Sequence, residues 1–208
     1  MKVTKEKAAE NRAALVRAAS RLFRERGIDG VGVAEISKAA GLTHGALYGQ
    51  FPSKDALVAE ALAEGLRASH ARLTAVGGGG AEPRLTDILD LMVSTRHRDA
   101  LATGCPMTAS ASEIARQDET VSARFVEGFE RTVGTVEAAL AGTPATERRA
   151  RALTIVAAQI GAIAVARAAA KSHPELSDEI IAAARRVLGE VGGEEPDGTA
   201  LGNGASPG

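Results

Sequence analysis

Thr43, His44, Tyr48, Gln50 and Lys54 are the polar members of an otherwise small and apolar run, Gly41-Leu42-Thr43-His44-Gly45-Ala46-Leu47-Tyr48-Gly49-Gln50-Phe51-Pro52-Ser53-Lys54. These side chains suit hydrogen bonding to base edges and phosphate oxygens. A short helix with a polar start, a tyrosine near its end and almost no bulk fits a DNA major groove, where a bulky helix would be held off the bases. Thr43 either caps this helix through its hydroxyl or reaches DNA. Tyr48 either faces the groove or packs, and Gly45 permits close backbone approach. Gln50 can pair with adenine through its amide.

A second set of chemical groups lies further on. Cys105 stands in Gly104-Cys105-Pro106-Met107, where a helix begins, and His97 and Arg98 precede it. A helix amino-terminus lowers a thiol pKa, which opens two readings, an electrophile-responsive thiol or a nucleophile–base pair with His97. The third reading is a small buried hydrophobe. No further residue is spaced to orient such a pair. The four histidines, at 44, 70, 97 and 173, include no pair at zinc-ligand spacing, so neither metal nor cofactor is expected. Gln159 is the lone amide in Thr154–Ala166, a segment apolar nearly all round. Once buried it needs a partner, be it a ligand, a backbone carbonyl or its mate in a second copy.

Helices must position these groups. With 45% hydrophobic residues but only 2% aromatic ones, the chain favours helices packed through small and aliphatic side chains over a β-sandwich. Leu15, Ala18, Ala19, Leu22 and Phe23 make an apolar stripe on a helix from about 5 to 26, ended by Gly27. Residues 32–40 form a two-turn helix with Val33, Ile36 and Ala40 inward, and Gly41 ends it. Leu47 and Phe51 fasten the next helix to the first two, and Ser53 caps a fourth helix to about Val76. Gly77–Gly80 is a loop and candidate boundary. Helices follow at about 84–97, 106–116, 119–141, 146–171 and 174–189, with a capping box expected from Ser172 to Glu175. The Gly-rich tail from Glu190 is expected to be disordered. The fold is therefore all-α with about nine helices. Residues 1–55 form a three-helix helix-turn-helix domain, helix 53–76 connects, 77–189 form a second helical domain, and 190–208 the tail.

Charge supports this division. The chain's net charge is −1, yet residues 1–75 carry a net +4 and the remainder a net −5, a modest footprint for a polyanionic partner. The charged start and the absence of an apolar run of 18 or more residues predict a cytoplasmic protein with no membrane partner.

The string from Gly41 to Lys54, with Asp55-Ala56-Leu57 after it, closely resembles the DNA-reading segment of the TetR/AcrR family of bacterial regulators. That family shows a Gly, a small or basic pair, Gly, then Leu-Tyr-x-x-Phe and Ser-Lys-Glu/Asp-x-Leu in this order. The similarity is strong over about residues 8–66. It implies base or phosphate contacts from Thr43 and His44, close approach at Gly45, phosphate contacts from Tyr48 and Lys54, and groove-facing positions for Gly49 and Gln50. Two departures stand out. Gly32 replaces the Thr or Ser that caps helix two in the family, and Gly49 replaces a larger side chain. Both remove contacts, which the basic start (Lys2, Lys5, Lys7, Arg12) would offset electrostatically.

The resemblance further implies a homodimer on near-palindromic double-stranded DNA and a small-molecule effector, making the protein a repressor released by that ligand. Residues 146–171 and 174–189 would form the dimer interface, through Ile155, Ala162, Ile163, Ala166, Ile180, Ala184 and Val187, or else belong to the monomer's core. Leu89, Met92, Val93, Cys105, Met107, Ile114, Phe125, Phe129 and Gln159 are candidates for a pocket. A cysteine-dependent enzyme and a plain interaction bundle are the competing readings.

Overall fold

A computed structural model describes residues 4–78 and 80–193, and among these residues ten helices and no strand occur. The first, α1 (Lys5–Arg26), starts at Thr4, whose Oγ1 accepts from Lys7 N at 3.2 Å, and stops at Gly27, whose φ of +80° suits glycine. Then come α2 (Val33–Ala39) and α3 (His44–Tyr48), joined through Gly41 at φ +70°. α4 (Lys54–Ala75) begins at Ser53, whose Oγ accepts from Ala56 N at 3.1 Å, as expected. The stripe on α1, together with Ile36, Leu47, Phe51, Leu57, Ala61 and Leu62, is buried.

The rest comprises α5 (Leu85–Met92), α6 (Thr95–Asp99), α7 (Pro106–Ile114), α8 (Glu119–Ala139), α9 (Ala145–Ala169) and α10 (Pro174–Val191). The single helix expected over 84–97 is two. Val93 leaves helical geometry, and Ser94 Oγ accepts from His97 N at 3.2 Å, which starts α6 afresh. The capping box at Ser172 does not form, because His173 is the cap residue and makes no side-chain cap bond. α10 also continues through Glu190 and Val191. The expected tail otherwise lies outside the described residues, Gly192 and Gly193 excepted.

The buried residues form one continuous cluster, and α4 is the element that runs through it, packing on α1 and most extensively on α8. Two glycines allow the close crossings. A Cβ on Gly65 would lie 2.8 Å from Arg24, Pro106 and Ser20 side-chain atoms, and one on Gly128 would lie 2.6 Å from Leu66 Cδ1. α9 is long and apolar enough, by length and composition alone, to cross a membrane. Its Ile155, Val156, Ile160, Ile163 and Ala166 are nevertheless buried within the chain's own core, as in the central helix of a bundle.

Candidate nucleic-acid interface and internal cavity

α3 is held from behind and open in front. Leu47 is fully buried and Phe51 nearly so, whereas Thr43, His44, Gly45, Tyr48 and Gly49 are exposed and Gln50 is half-buried. Tyr48 is the most exposed aromatic at 52%, with the His44 ring edge-on at 5.3 Å between centroids. Tyr48 therefore does not serve as packing. Thr43 occupies the cap position of α3 but makes no side-chain cap bond, so its hydroxyl is left to solvent. A Cβ at Gly45 would meet nothing within 4 Å, and at Gly49 only ordinary contacts, so that face is unobstructed. Gly32 is the cap residue of α2, and with no side chain it makes no cap bond.

The two cations expected near this face are occupied structurally. Lys54 is half-buried and its Nζ donates to Ile28 O at 2.9 Å; an ammonium has three donors, so two stay available. Arg12 is not a free surface charge. It donates to Gln50 O and, at 2.6 Å, to Glu60, and its guanidinium lies 4.1 Å over the Phe51 ring. It pins α1 to the end of the recognition helix instead of adding to a basic arm. Lys7 is paired with Glu10 at 3.0 Å, and Lys2 lies outside the described residues.

Behind this unit, α4 to α8 enclose a cavity of about 380 Å³. Of the pocket candidates, Met92, Cys105 and Met107 line it. Leu89, Val93 and Ile114 are plain core outside its wall, and Phe125 and Phe129 stack on each other along α8 with centroids 6.4 Å apart. Gln159 is buried away from the cavity, and neither its amide nitrogen nor its oxygen has a hydrogen-bond partner. Residues that helix-by-helix reading missed complete the lining: Ser69, His70 and Arg72 from the last turns of α4, Arg96 and His97 from α6, and Thr132 from α8. α4 reads as a connector by sequence. The signal for its inner polar residues emerges only when it crosses α8.

The end of α6 and the loop after it form one wall, and three arginines from three helices hold this stretch by its carbonyls. Arg24 of α1 donates to Ala102 O at 2.7 Å, and Arg72 of α4 to Thr103 O at 2.8 Å. Arg167 of α9 donates to Arg98 O at 2.8 Å and His97 O at 3.0 Å. At the far end of α7, Glu113 accepts from Ile28 N at 3.0 Å, and Gln117 donates to Asp29 at 3.2 Å. The cavity wall and the α1–α3 unit are thus directly bonded.

Of the readings left open for Cys105, burial favours the small buried hydrophobe. Cys105 is fully enclosed, and desolvation pushes its thiol up despite hydrogen bonds from Met107, Ser69 and Thr108 and the charge of Arg72. His97 is lowered to about 4, chiefly by burial and then by Arg167 and Arg72. A thiol pushed up and an imidazole pushed down both resist the proton transfer that a nucleophile–base pair needs. The pair is not a nucleophile and base.

Of the expected dimer residues, Ile155, Ile163 and Ala166 face inward, because α10, α8 and α7 pack on that side of α9. The outward sides of α9 and α10 carry Val165 at 57% exposed and Val187 at 43%, with Ala162 of α9 and Ile180 and Ala184 of α10 partly open.

A small, solvent-facing second helix on a buried anchor, followed by a helical body with an internal cavity, defines a helix-turn-helix protein with an appended sensor-like bundle. Known proteins agree with that class. Residues 15–61 match the family described as bacterial regulatory proteins, tetR family, and residues 83–176 match the C-terminal domain of LmrA/YxaF-like transcriptional regulators. The chain belongs to the TetR family of bacterial regulators, and the matched families are those of regulators, not enzymes. The HTH-type transcriptional regulator TtgR of Pseudomonas putida is 43% identical over 70 residues, 34% of this chain. That match spans about a third of the relative's length, 33%. A TetR regulator from Legionella pneumophila superposes with a TM-score of 0.72 at 15% identity, covering 91% of this chain and 98% of its own. The reduced form of E. coli NemR does so at 0.68 and 23% identity, covering 84% and 94%. Both show a common fold.

Proposed function

We propose that the protein is a cytoplasmic, homodimeric, sequence-specific DNA-binding repressor whose hold on a near-palindromic operator is relieved by a small molecule in the cavity behind the α6–α7 loop. The observation that carries this reading is the presentation of α3. Leu47 and Phe51 fix the helix, while Thr43, His44, Gly45 and Tyr48 stand in solvent together. Thr43 and His44 would reach base edges or phosphates, Tyr48 and Lys54 phosphates, and Gln50 an adenine at the groove's edge. One such helix reads only a few base pairs, so two copies on half-sites about one helical turn apart are needed for selectivity. Domain division follows the same lines, with residues 1–55 reading DNA, α4 connecting, and 77–189 binding ligand and partner.

The outer side of α9 and α10 suits a second copy. Val165 and Val187 are large and exposed there, and small residues between them allow close helix approach. Release follows the bonds already described. A ligand that displaces the α6–α7 loop pulls on Arg24 and, through α7, on Glu113 and Ile28, which re-aims α1 to α3.

The test is direct. Full-length protein should shift DNA from upstream of its own gene at low salt, and a Thr43→Ala, Tyr48→Ala, Lys54→Ala triple variant should not. Equal binding by the triple variant, or no shift by the native protein, would sink the proposal. Sedimentation of native protein and of Val165→Glu tests the dimer, which should dissociate in the variant.

A further inference from the structure

We infer that the cavity takes a small amphipathic anion, a carboxylate carried on an apolar body, as its ligand. The inference rests on the reading of this cavity as the effector site and goes on to name the effector's chemistry.

Depth sorts the lining. Leu73, Met92 and Met107 are buried at its floor, while Arg72 and Arg96 are exposed at its edge, so a ligand here has one apolar and one charged end. The sign of that charged end follows from the surroundings. No aspartate or glutamate lines the cavity. Arg24, Arg72 and Arg167 bond only to neutral oxygens, chiefly the carbonyls of the loop wall. None of these three, nor Arg96, has a carboxylate within ion-pair distance among the described residues. The nearby acids are already committed: Asp99 and Asp178 to Arg98, and Glu127 to Arg131 and Arg124. Arg72 and Arg96 line the cavity without a carboxylate at ion-pair distance, and Arg24 and Arg167 behind the loop feel Glu25 and Asp99 only at longer range, so the positive potential there is one that an anion would relieve.

The histidines report the same field. His97 is driven down by burial and then by Arg167 and Arg72, and His70 by burial and then by Arg131. Both also hold orphaned atoms. His97 Nε2 and His70 Nδ1 are buried with no hydrogen-bond partner. A neutral imidazole can turn an N–H toward a carboxylate oxygen, and a carboxylate has lone pairs for both histidines and an arginine at once. A cation would meet four like charges and no acceptor acid. A neutral apolar molecule would gain only the floor and leave every one of these groups as it was. The volume, about 380 Å³, sits at the small end of ligand sites.

Three probes of equal chain length separate the possibilities: octanoate, 1-octanol and octylammonium, titrated into full-length protein by calorimetry at low and high salt. Octanoate should bind at least about tenfold more tightly than octanol, octylammonium should not bind, and added salt should weaken octanoate alone. Arg96→Gln removes an exposed side chain with no ion-pair partner, so the fold is kept. It should weaken octanoate about tenfold and leave octanol unchanged. Octanol or octylammonium binding as tightly as octanoate overturns the inference, as does no binding by any probe, or octanoate binding indifferent to Arg96→Gln. Upstream DNA in the same samples separates the two readings. Octanoate that binds without releasing DNA upholds the anion site and removes its regulatory role. Release by octanol or octylammonium instead upholds the role and removes the anion.

Discussion

The recognition helix and the cavity wall are built on opposite plans. α3 has five residues, one buried anchor and a front face that makes almost no bonds within the chain. The wall from His97 to Cys105 is tied by arginines of α1, α4 and α9 and stands beside polar atoms that lack partners. A surface meant for a flat, repetitive polyanion needs access and few fixed groups, because the phosphate backbone supplies most of the affinity. A site that must respond to a small molecule needs groups whose satisfaction changes on binding, and those have to be enclosed to count. The difference teaches where each kind of substitution will register: at α3 in DNA affinity with stability untouched, at the wall and its supports in stability first.

The largest expected effect is at α3. Tyr48→Ala with Lys54→Ala should weaken operator binding about 100-fold and make its salt dependence shallower by one to two phosphate contacts, measured by fluorescence anisotropy across a salt series. If melting falls as steeply as affinity, Lys54 acts through Ile28, and the contrast between the two regions weakens. Next comes the support of the wall. Gly65→Val forces a side chain against Arg24, Pro106 and Ser20, and should cost about 2 kcal/mol, seen as a melting temperature lower by roughly 4–8 °C. Gln159→Met replaces a buried amide whose two polar atoms are unpaired, and should raise stability by about 1 kcal/mol. A fall instead would mean that the amide is paired within the core or that methionine does not fit its space.

A subtler test uses pH. His97 titrates near 4 in the folded chain against an ordinary 6.5. Between those values the unfolded chain binds the extra proton, so stability should fall as pH drops from 6.5 toward 4 and be unaffected above. Thermal melts of His97→Gln should show a flatter profile across that window. The smallest effect returns to the reading unit. Gly32 has ordinary backbone angles and open space where its side chain would be, so Gly32→Thr should cap α2, add about 0.5 kcal/mol and tighten DNA binding a few-fold.

The same contrast explains what was legible in the sequence. Everything that makes α3 a reading helix lies within one run from Gly41 to Lys54, and its anchors obey the four-residue spacing of a helix. So Leu47 and Phe51 can be placed inward from pattern alone, whereas Thr43 and Tyr48 stay open until the structure shows both exposed. The wall is assembled from α4, α5, α6, α7 and α8, and no local pattern reports that Arg72 and His97 face one space. Apolar periodicity selected Leu89, Ile114 and Val93, which are core, because periodicity says that a residue is inside and not what it is inside of. Arg12 and Ile163 mislead for a related reason. A charge can be spent on a carbonyl and a ring, and an apolar helix has two sides of which its own chain takes one. Likewise Cys105 looks activated by its helix end until burial is counted.

The bond from Arg24 to Ala102 has a consequence of its own. It joins the first helix to the wall of the cavity within a single chain, so any arrangement of the wall that suits a ligand is also an arrangement of α1. Thermodynamic reciprocity then applies in both directions: by whatever factor a ligand loosens the protein's grip on DNA, the DNA must loosen its grip on the ligand. Under the proposed function, the protein seated on its operator would for that reason be a poorer receptor than the same protein free in solution. The concentration at which it responds would then be set partly by the DNA it occupies, and a stronger operator would raise that threshold without any change in the cavity.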